Sequence, residues 1–401
     1  MTNLPQGWEI KRLDDITEIQ IGKTPSRNNI DFFQGENIWL SIRDLKSKFV
    51  SFSSEKISNE AILKTNMKIV PKGTLLMSFK LTLGKTAFAG CDLYTNEAIA
   101  AIFIKDKNIN KYFLDYALKF TDLEKYVDNA VKGKTLNKQK LRQIEVPIPP
   151  LKEQERIVGI LDESFAKIDE SIKILEQDLL DLDELMQSAL QKAFNPLKDD
   201  TKENYQLPQG WEIKRLDDIT EIQIGKTPSR NNIDFFQGEN IWLSIRDLKS
   251  KFVSFSSEKI SNEAILKTNM KIVPKGTLLM SFKLTLGKTA FAGCDLYTNE
   301  AIAAIFIKDK NINKYFLDYA LKFTDLEKYV DNAVKGKTLN KQKLRQIEVP
   351  IPPLKEQEQI ASYLDELSLN IKALKENYKT QIKDYEELKK SLLKKAFEGR
   401  L

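Results

Sequence analysis

Leu4–Asn29 reads LPQGWEIKRLDDITEIQIGKTPSRNN, and Leu207–Asn232 reads the same. The identity runs without a change or gap from Leu4–Glu155 to Leu207–Glu358, 152 residues at an offset of 203. Beyond it the letters diverge while the frame persists. Leu161, Asp162 and Glu163 return as Leu364, Asp365 and Glu366, and Lys192, Ala193 and Phe194 return as Lys395, Ala396 and Phe397. Solenoid units span only ~20–50 residues, so a period this long marks a tandem pair of whole domains. The chain presents one surface twice.

With 401 residues, 41% of them hydrophobic, the chain can fill two or three cores of ordinary size. No apolar run approaches the ~20 residues that span a bilayer, and the N-terminus lacks a basic-then-apolar signal pattern. One cysteine per copy, Cys91 and Cys294, gives neither a disulfide framework nor a metal-ligand spacing. A cytoplasmic protein with no membrane partner is expected. The absence of histidine excludes a Ser-His-Asp triad, a histidine general base and a histidine-ligated zinc. Charge is unevenly spread: each copy carries +5, residues 156–206 carry −6, and the tail 359–401 carries +2. Basic domains suit an anionic partner such as nucleic acid.

Each repeat opens with short β-leaning runs at Trp8–Ile10, Ile19–Ile21, Ile38–Ile42, Leu75–Phe79 and Ala98–Ile104, with turns at Lys72-Gly73 and Ala89-Gly90. Phe113, Ala117, Phe120 and Leu123 predict a helix over Lys111–Asn129. A compact α+β domain follows. Pro147-Ile-Pro-Pro150 is expected to stop regular structure, since proline lacks a donor and restricts its predecessor.

A different pattern begins at Leu151. Leu161, Ile168, Leu175, Leu182 and Ala189 fall seven apart, and Phe165, Ile172, Leu179, Met186 and Ala193 form a second series four residues on. In the C-terminal segment Leu364, Ile371, Tyr378, Tyr385 and Leu392 repeat the spacing, flanked by Leu367, Leu374 and Leu388. These are coiled-coil seams. Each helix would be ~60 Å long at ~1.5 Å per residue and needs a partner. The first is acidic and the second lysine-rich, which favours pairing them. The expected order is a domain at 1–150, a long helix at 151–194, a polar linker at 195–206, the repeated domain at 207–353, and a second long helix with its tail at 354–401. Antiparallel pairing would relate the halves by an approximate two-fold axis.

GKT occurs at Gly22, Gly84 and Gly133 and at their copies, but a P-loop needs glycine five residues earlier. Those positions hold Thr17, Phe79 and Asp128. Neither a glycine-rich cofactor loop nor an Asn/Asp-Pro-Pro-aromatic stretch for a flipped adenine is present. Glu9-Ile-Lys11 is an acid-x-lysine pair of the kind that chance supplies in so charged a chain. The strongest charge signal is Lys132–Arg142, with five basic residues in eleven, no acid, and Asn137 and Gln139 interleaved. Phosphate contact and a solvated helix start both fit it. Gly22–Asn29 carries Lys23, Arg27, Asn28 and Asn29 and could read bases, arginine pairing with guanine and asparagine with adenine; a polar turn fits equally. Arg43, Lys80 and Lys85 are weaker candidates, while Trp8 and Trp39 suit a core.

The chain resembles the specificity subunit of type I restriction–modification systems. The resemblance rests on Leu4-Pro-Gln-Gly-Trp8, Ile57-Ser-Asn-Glu-Ala61, Pro71-Lys-Gly-Thr74, Gly84-Lys85 and Thr95-Asn96. Above all it rests on Val146-Pro-Ile-Pro-Pro-Leu-Lys-Glu-Gln-Glu-Arg-Ile157, its second copy from Val349, and the ending Leu392–Leu401. It implies two DNA-recognition domains, each reading half of a split site in double-stranded DNA, separated by long helices that act as a ruler; with the pattern above, the expected fold is α+β with those helices paired as an antiparallel, pseudo-two-fold coiled coil. The resemblance also implies two modification subunits that carry S-adenosylmethionine and methylate adenine. Restriction subunits using ATP and Mg would complete a restricting complex. This chain would hold no catalytic residue and no cofactor.

The candidate DNA-binding residues are Lys23, Arg27, Asn28, Asn29, Arg43, Lys80, Lys85, Lys132, Lys134, Asn137, Lys138, Lys140 and Arg142. Their copies are Lys226, Arg230, Asn231, Asn232, Arg246, Lys283, Lys288, Lys335, Lys337, Asn340, Lys341, Lys343 and Arg345. Family members usually carry two unlike recognition domains; two identical ones imply an interrupted palindrome as the target. An autonomous nuclease or fused modification–restriction enzyme, and a coiled-coil scaffold, are the rival readings.

Overall fold

The computed structural model describes residues 5–127, 135–195, 207–330 and 339–401. The chain divides into two compact units, Met1–Leu175 with Lys379–Leu401, and Glu176–Tyr378. Each unit holds one copy of the repeat, and each copy is an α+β domain.

In the first unit a five-stranded sheet runs in the order Thr17–Ile21, Ile99–Ile104, Leu75–Ser78, Thr86–Ala89, Phe49–Val50. Its pairs are antiparallel except the last, which is parallel. Strand alternation sends Leu75 and Met77 into a core under the helix Lys111–Phe120, and Leu76 into a second core with Leu40 and Leu45. A small sheet, Glu55–Ile57, Asn37–Leu40 and Tyr94–Thr95, closes over Trp39, which is 1% exposed. The second unit repeats this topology with strands Thr220–Ile224, Ile302–Ile307, Leu278–Ser281, Thr289–Ala292 and Phe252–Val253.

Two local expectations change. The helix from Lys111 ends at Phe120, because Thr121 turns extended and its hydroxyl donates to Ala117 O. Asp122 then caps a separate 3-10 turn, Leu123–Tyr126, by accepting from Glu124 N; Asp128 and Asn129 lie outside the described residues. Nor do the prolines end regular structure at once. Pro147 lies inside the strand Glu145–Ile148, opposite Ile10 in a two-stranded sheet with Glu9–Arg12. Having only two strands, that sheet leaves one side of each unpaired, where a missing N–H costs no ladder bond.

The long helices are Leu151–Phe194 and Leu354–Phe397, 44 residues each. The glutamine of the PPLKEQ stretch ties the first turn of each to its domain. Gln154 is fully buried and makes three hydrogen bonds, accepting from Asn110 N and donating to Asn108 O and Pro149 O. Gln357 does the same with Asn313, Asn311 and Pro352. The Leu-Asp-Glu triplet that outlives the repeat has a job as well. Leu161 is buried, and Asp162 accepts from Tyr116 Oη and Lys48 Nζ, fixing the helix to its domain.

Within the first unit, Asp169 pairs with Lys389 and Arg156 donates to Leu401 O, so the two helix segments run antiparallel. Within the second, Asp183 pairs with Lys375, and Ala189, Leu190 and Phe194 share a core with Ala361 and Leu364. Leu161, Ile168, Leu175, Leu182, Leu364 and Ile371 are buried, whereas Tyr378, Tyr385 and Leu392 are half-buried.

The flank of the second helix differs from expectation: Leu374 and Leu388 are 41% and 44% exposed. The inward companions of its seam lie four residues on, as in the first helix, at Lys375, Ile382, Lys389 and Ala396. The two lysines lay their stems along the seam and end on the aspartates of the acidic helix.

Candidate nucleic-acid interface

Gly22–Asn29 is a built loop. A Cβ on Gly22 would stand 2.1 Å from Thr95 O, so only glycine lets the two backbones meet. Lys23, itself exposed, reaches across the surface to cap the helix Asn59–Thr65, donating to Thr65 O at 2.8 Å and Asn66 O at 3.1 Å. Asn29 Oδ1 accepts from Asp31 N and starts the 3-10 turn Ile30–Phe33. Arg27 lies 4.3 Å above the Phe33 ring and forms a two-pronged pair with Glu55. That hydrogen bond holds the Glu55 carboxyl below its ordinary range and raises the guanidinium. Two of the five guanidinium donors suffice for the fork, and three remain. Asn28 is exposed. The second copy matches: Lys226 caps Thr268 and Asn269, Arg230 forks to Glu258, Asn232 caps Asp234, and Asn231 is exposed.

Arg43, on a turn shaped by Ser41 and Asp44, reaches within 3.6 Å of Glu55 and is 76% exposed. In the second unit a cleft of about 460 Å³ gathers Arg230, Arg246, Glu258, Lys283, Leu284 and Glu300. Three of the candidates from distant stretches therefore meet at one place: Arg230, Arg246 and Lys283. Lys226 and Lys288 do not line the cleft, nor do Asn231, Asn232 and Arg345. Lys85 is exposed, and its neighbour Thr86 donates to the buried Asp115.

The basic run is partly structural. Lys132, Lys134, Lys335 and Lys337 lie outside the described residues. Asn137 and Asn340 are N-caps, accepting from Lys140 N and Lys343 N at 2.8 Å. Arg142 and Arg345 pair with Asp14 and Asp217 at 3.2 and 3.3 Å. Lys138 and Lys341 point to solvent, while Lys140 and Lys343 are half-buried. Thr135 bridges to Lys80, which places this described residue of the run beside the loop that carries Lys80.

Glu55, Glu97 and Leu81 carry no signal in local composition; Glu55 is found by its fork to Arg27, Glu97 by accepting from the Thr24 hydroxyl of the same loop, and Leu81 by its exposure. Among the described residues there is no cluster of metal-ligating side chains, and no helix is long and apolar enough to cross a membrane.

The cleft of the second unit and the Arg27–Glu55–Arg43 grouping of the first put arginines on the surface of each repeated α+β domain, and each domain joins the long helices. The chain matches the type I restriction modification DNA specificity domain over residues 5–177 and again over 208–384, and it belongs to that family. It is similar to the specificity subunit of the type I restriction enzyme MjaIX of Methanocaldococcus jannaschii, 27% identical over 370 residues covering 87% of this chain and 84% of that one. The EcoBI specificity subunit of Escherichia coli is 26% identical over 327 residues, covering 76% and 69%. In fold, the chain resembles one from a study of complex assembly and conformational transition of the type I R-M system, with a TM-score of 0.81 over the full length of both at 20% identity. The HsdS subunit from Thermoanaerobacter tengcongensis gives 0.58 over 99% and 98% of the chains at 21% identity. The chain is thus a DNA-specificity subunit of a type I restriction–modification complex, and its part is recognition rather than catalysis.

Proposed function

We propose that this subunit directs adenine methylation, and restriction where restriction subunits are present, to an interrupted palindrome. The observation that carries the reading is the 152-residue exact repeat. Identical domains have identical base preferences, and the antiparallel helix pairing within each unit suits half-sites read on opposite strands. The long helices set the spacer between the half-sites. The boundaries that go with this reading are recognition domains at 1–150 and 207–353, helices at 151–194 and 354–401, and a linker at 195–206.

Base reading falls to the arginines Arg27 and Arg43 with Arg230 and Arg246, and to the exposed asparagines beside them in sequence, Asn28 and Asn231. Phosphate positioning falls to the basic run with its exposed Lys138 and Lys341. Two modification subunits dock on the chain and bring S-adenosylmethionine; ATP and Mg belong to restriction subunits. The complex works in the cytoplasm.

Co-expression with the cognate modification subunit, followed by mapping of methylated adenines in host DNA, tests this. One interrupted palindrome is expected; an asymmetric motif overturns the equal-halves reading. Lys138→Ala with Lys341→Ala should weaken binding to all sequences and lower its salt dependence. A changed base preference instead would reverse the division of labour.

A further inference from the structure

We infer that Leu81 and Leu284 are specificity-determining residues, reaching the DNA bases as apolar contacts from the rim of each cleft. The inference takes the chain's role in DNA recognition as given and adds residues to it. Both side chains are 77% exposed. Each sits at the centre of a tight turn, with Thr82 N donating to Lys80 O at 2.7 Å and Thr285 N to Lys283 O at 2.7 Å. The leucine φ angles are +62° and +64°. This is the rarer and more strained form of γ-turn, and a bulky residue seldom adopts it.

Such a conformation persists only where its surroundings over-determine it. Ser78, fully buried, does so: its hydroxyl donates to Thr82 O at 2.6 Å and accepts from Lys85 N at 3.0 Å, and its carbonyl accepts from Gly84 N at 2.9 Å. Ser281 repeats all three bonds. The chain therefore spends backbone strain to hold a leucine rigidly in water, twice.

What surrounds the tip identifies what it meets. Lys283 and Leu284 line the cleft together with Arg230 and Arg246, and Lys80 bridges to Thr135 within the basic run. The arginines and Lys283 attract the DNA backbone. Glu258 and Glu300 line the same cleft; carboxylates disfavour phosphate and can accept from exocyclic amines, so base edges rather than phosphates suit it. A leucine offers phosphate nothing. Its favourable contacts on DNA are a thymine methyl group or the face of a partly unstacked base.

The test is the double substitution Leu81→Gly with Leu284→Gly, in the full chain assembled with its modification subunit. Glycine suits a positive φ, so the turn is kept while the apolar group goes. Methylation is read across a library of randomised half-sites. Discrimination should fall about tenfold at the same position in both halves, the effect expected for one apolar group. A methyl contact relaxes one base pair and a wedge relaxes one base step. The unfolding midpoint should hold or rise, and Leu81→Met with Leu284→Met should retain most discrimination. A uniform loss over all sequences, or unchanged discrimination, overturns the inference. A wild-type complex without sequence preference would instead sink the recognition reading itself.

Discussion

Trp8 and Trp211 occupy the same place in two copies of one sequence, yet their surroundings differ. Trp8 is half-buried, edge-on to Phe113 and Phe397. Trp211 is 6% exposed, and its indole donates to Glu356 Oε1 at 3.2 Å. The cause lies just outside the repeat. In the first copy Arg156 forks onto Glu153 at 2.7 and 2.8 Å and draws that carboxylate away, lowering its pKa. In the second copy the same position is Gln359, which carries no charge to compete, and Glu356 is left for the indole. A second difference is larger in scale. The aromatic that seals the first copy is Phe397, stacked 4.8 Å from Phe120; the one that seals the second is Phe194, stacked 5.1 Å from Phe323. Identical domains share an interior, and what distinguishes them is the helical segment laid across each.

The comparison can be broken most forcefully at the seals. Phe397→Ala should destabilise the first unit and Phe194→Ala the second, each by about 3–5 kcal/mol. Hydrogen exchange read on peptides of the long helices separates the units, since those sequences differ between copies. Equal loosening of both units by either change would show that closure is not local. Next, Gln154→Leu and Gln357→Leu should each cost about 1–3 kcal/mol by leaving buried backbone groups unpaired. The two costs should agree in chemical denaturation, because both amides make the same three bonds.

Smaller still, Arg156→Gln should free Glu153 to take the Trp8 indole, changing stability by less than about 1 kcal/mol since the pair is exposed. Tryptophan fluorescence should shift toward that of a buried, hydrogen-bonded indole; an unchanged spectrum would place the cause elsewhere. The smallest effect concerns pH. Glu55 and Glu258 are held below the ordinary value of 4.5 by their arginines. Their stabilisation is complete above that value and is lost as pH falls through the lowered folded value. Carboxyl carbon NMR should give one coincident titration for both, and two separated curves would reveal unequal clefts.

The repeat, the α+β class and the long helices were legible because each writes a period into the sequence: 203 residues, alternation, and seven. The ending of the Lys111 helix was not, because Phe113, Ala117, Phe120 and Leu123 keep helical spacing across a break made by Thr121 and Asp122. The second helix misled at its flank, where Leu374 and Leu388 are apolar yet outward, while Lys375 and Lys389 are charged yet inward. A hydrophobicity pattern cannot anticipate lysine stems lying on a seam when their partners come from a distant helix. In the candidate site, residue type located Arg27, Arg43 and Lys80, but not which side chains are tied into the fold. Lys23, Asn29 and Asn137 read as free polar groups until their capping partners appear. Leu81 carries no composition signal at all, since its distinguishing property is a backbone angle.

The first unit is assembled from both ends of the chain, with Lys379–Leu401 completing a domain whose other residues precede Glu176, whereas the second unit is a single contiguous stretch. During synthesis at roughly 5–20 residues per second, the earlier domain therefore waits roughly 10–40 seconds for its closing helix. The later domain has its sealing phenylalanine waiting before its own first strand is made. Two identical sequences thus differ in when they can mature.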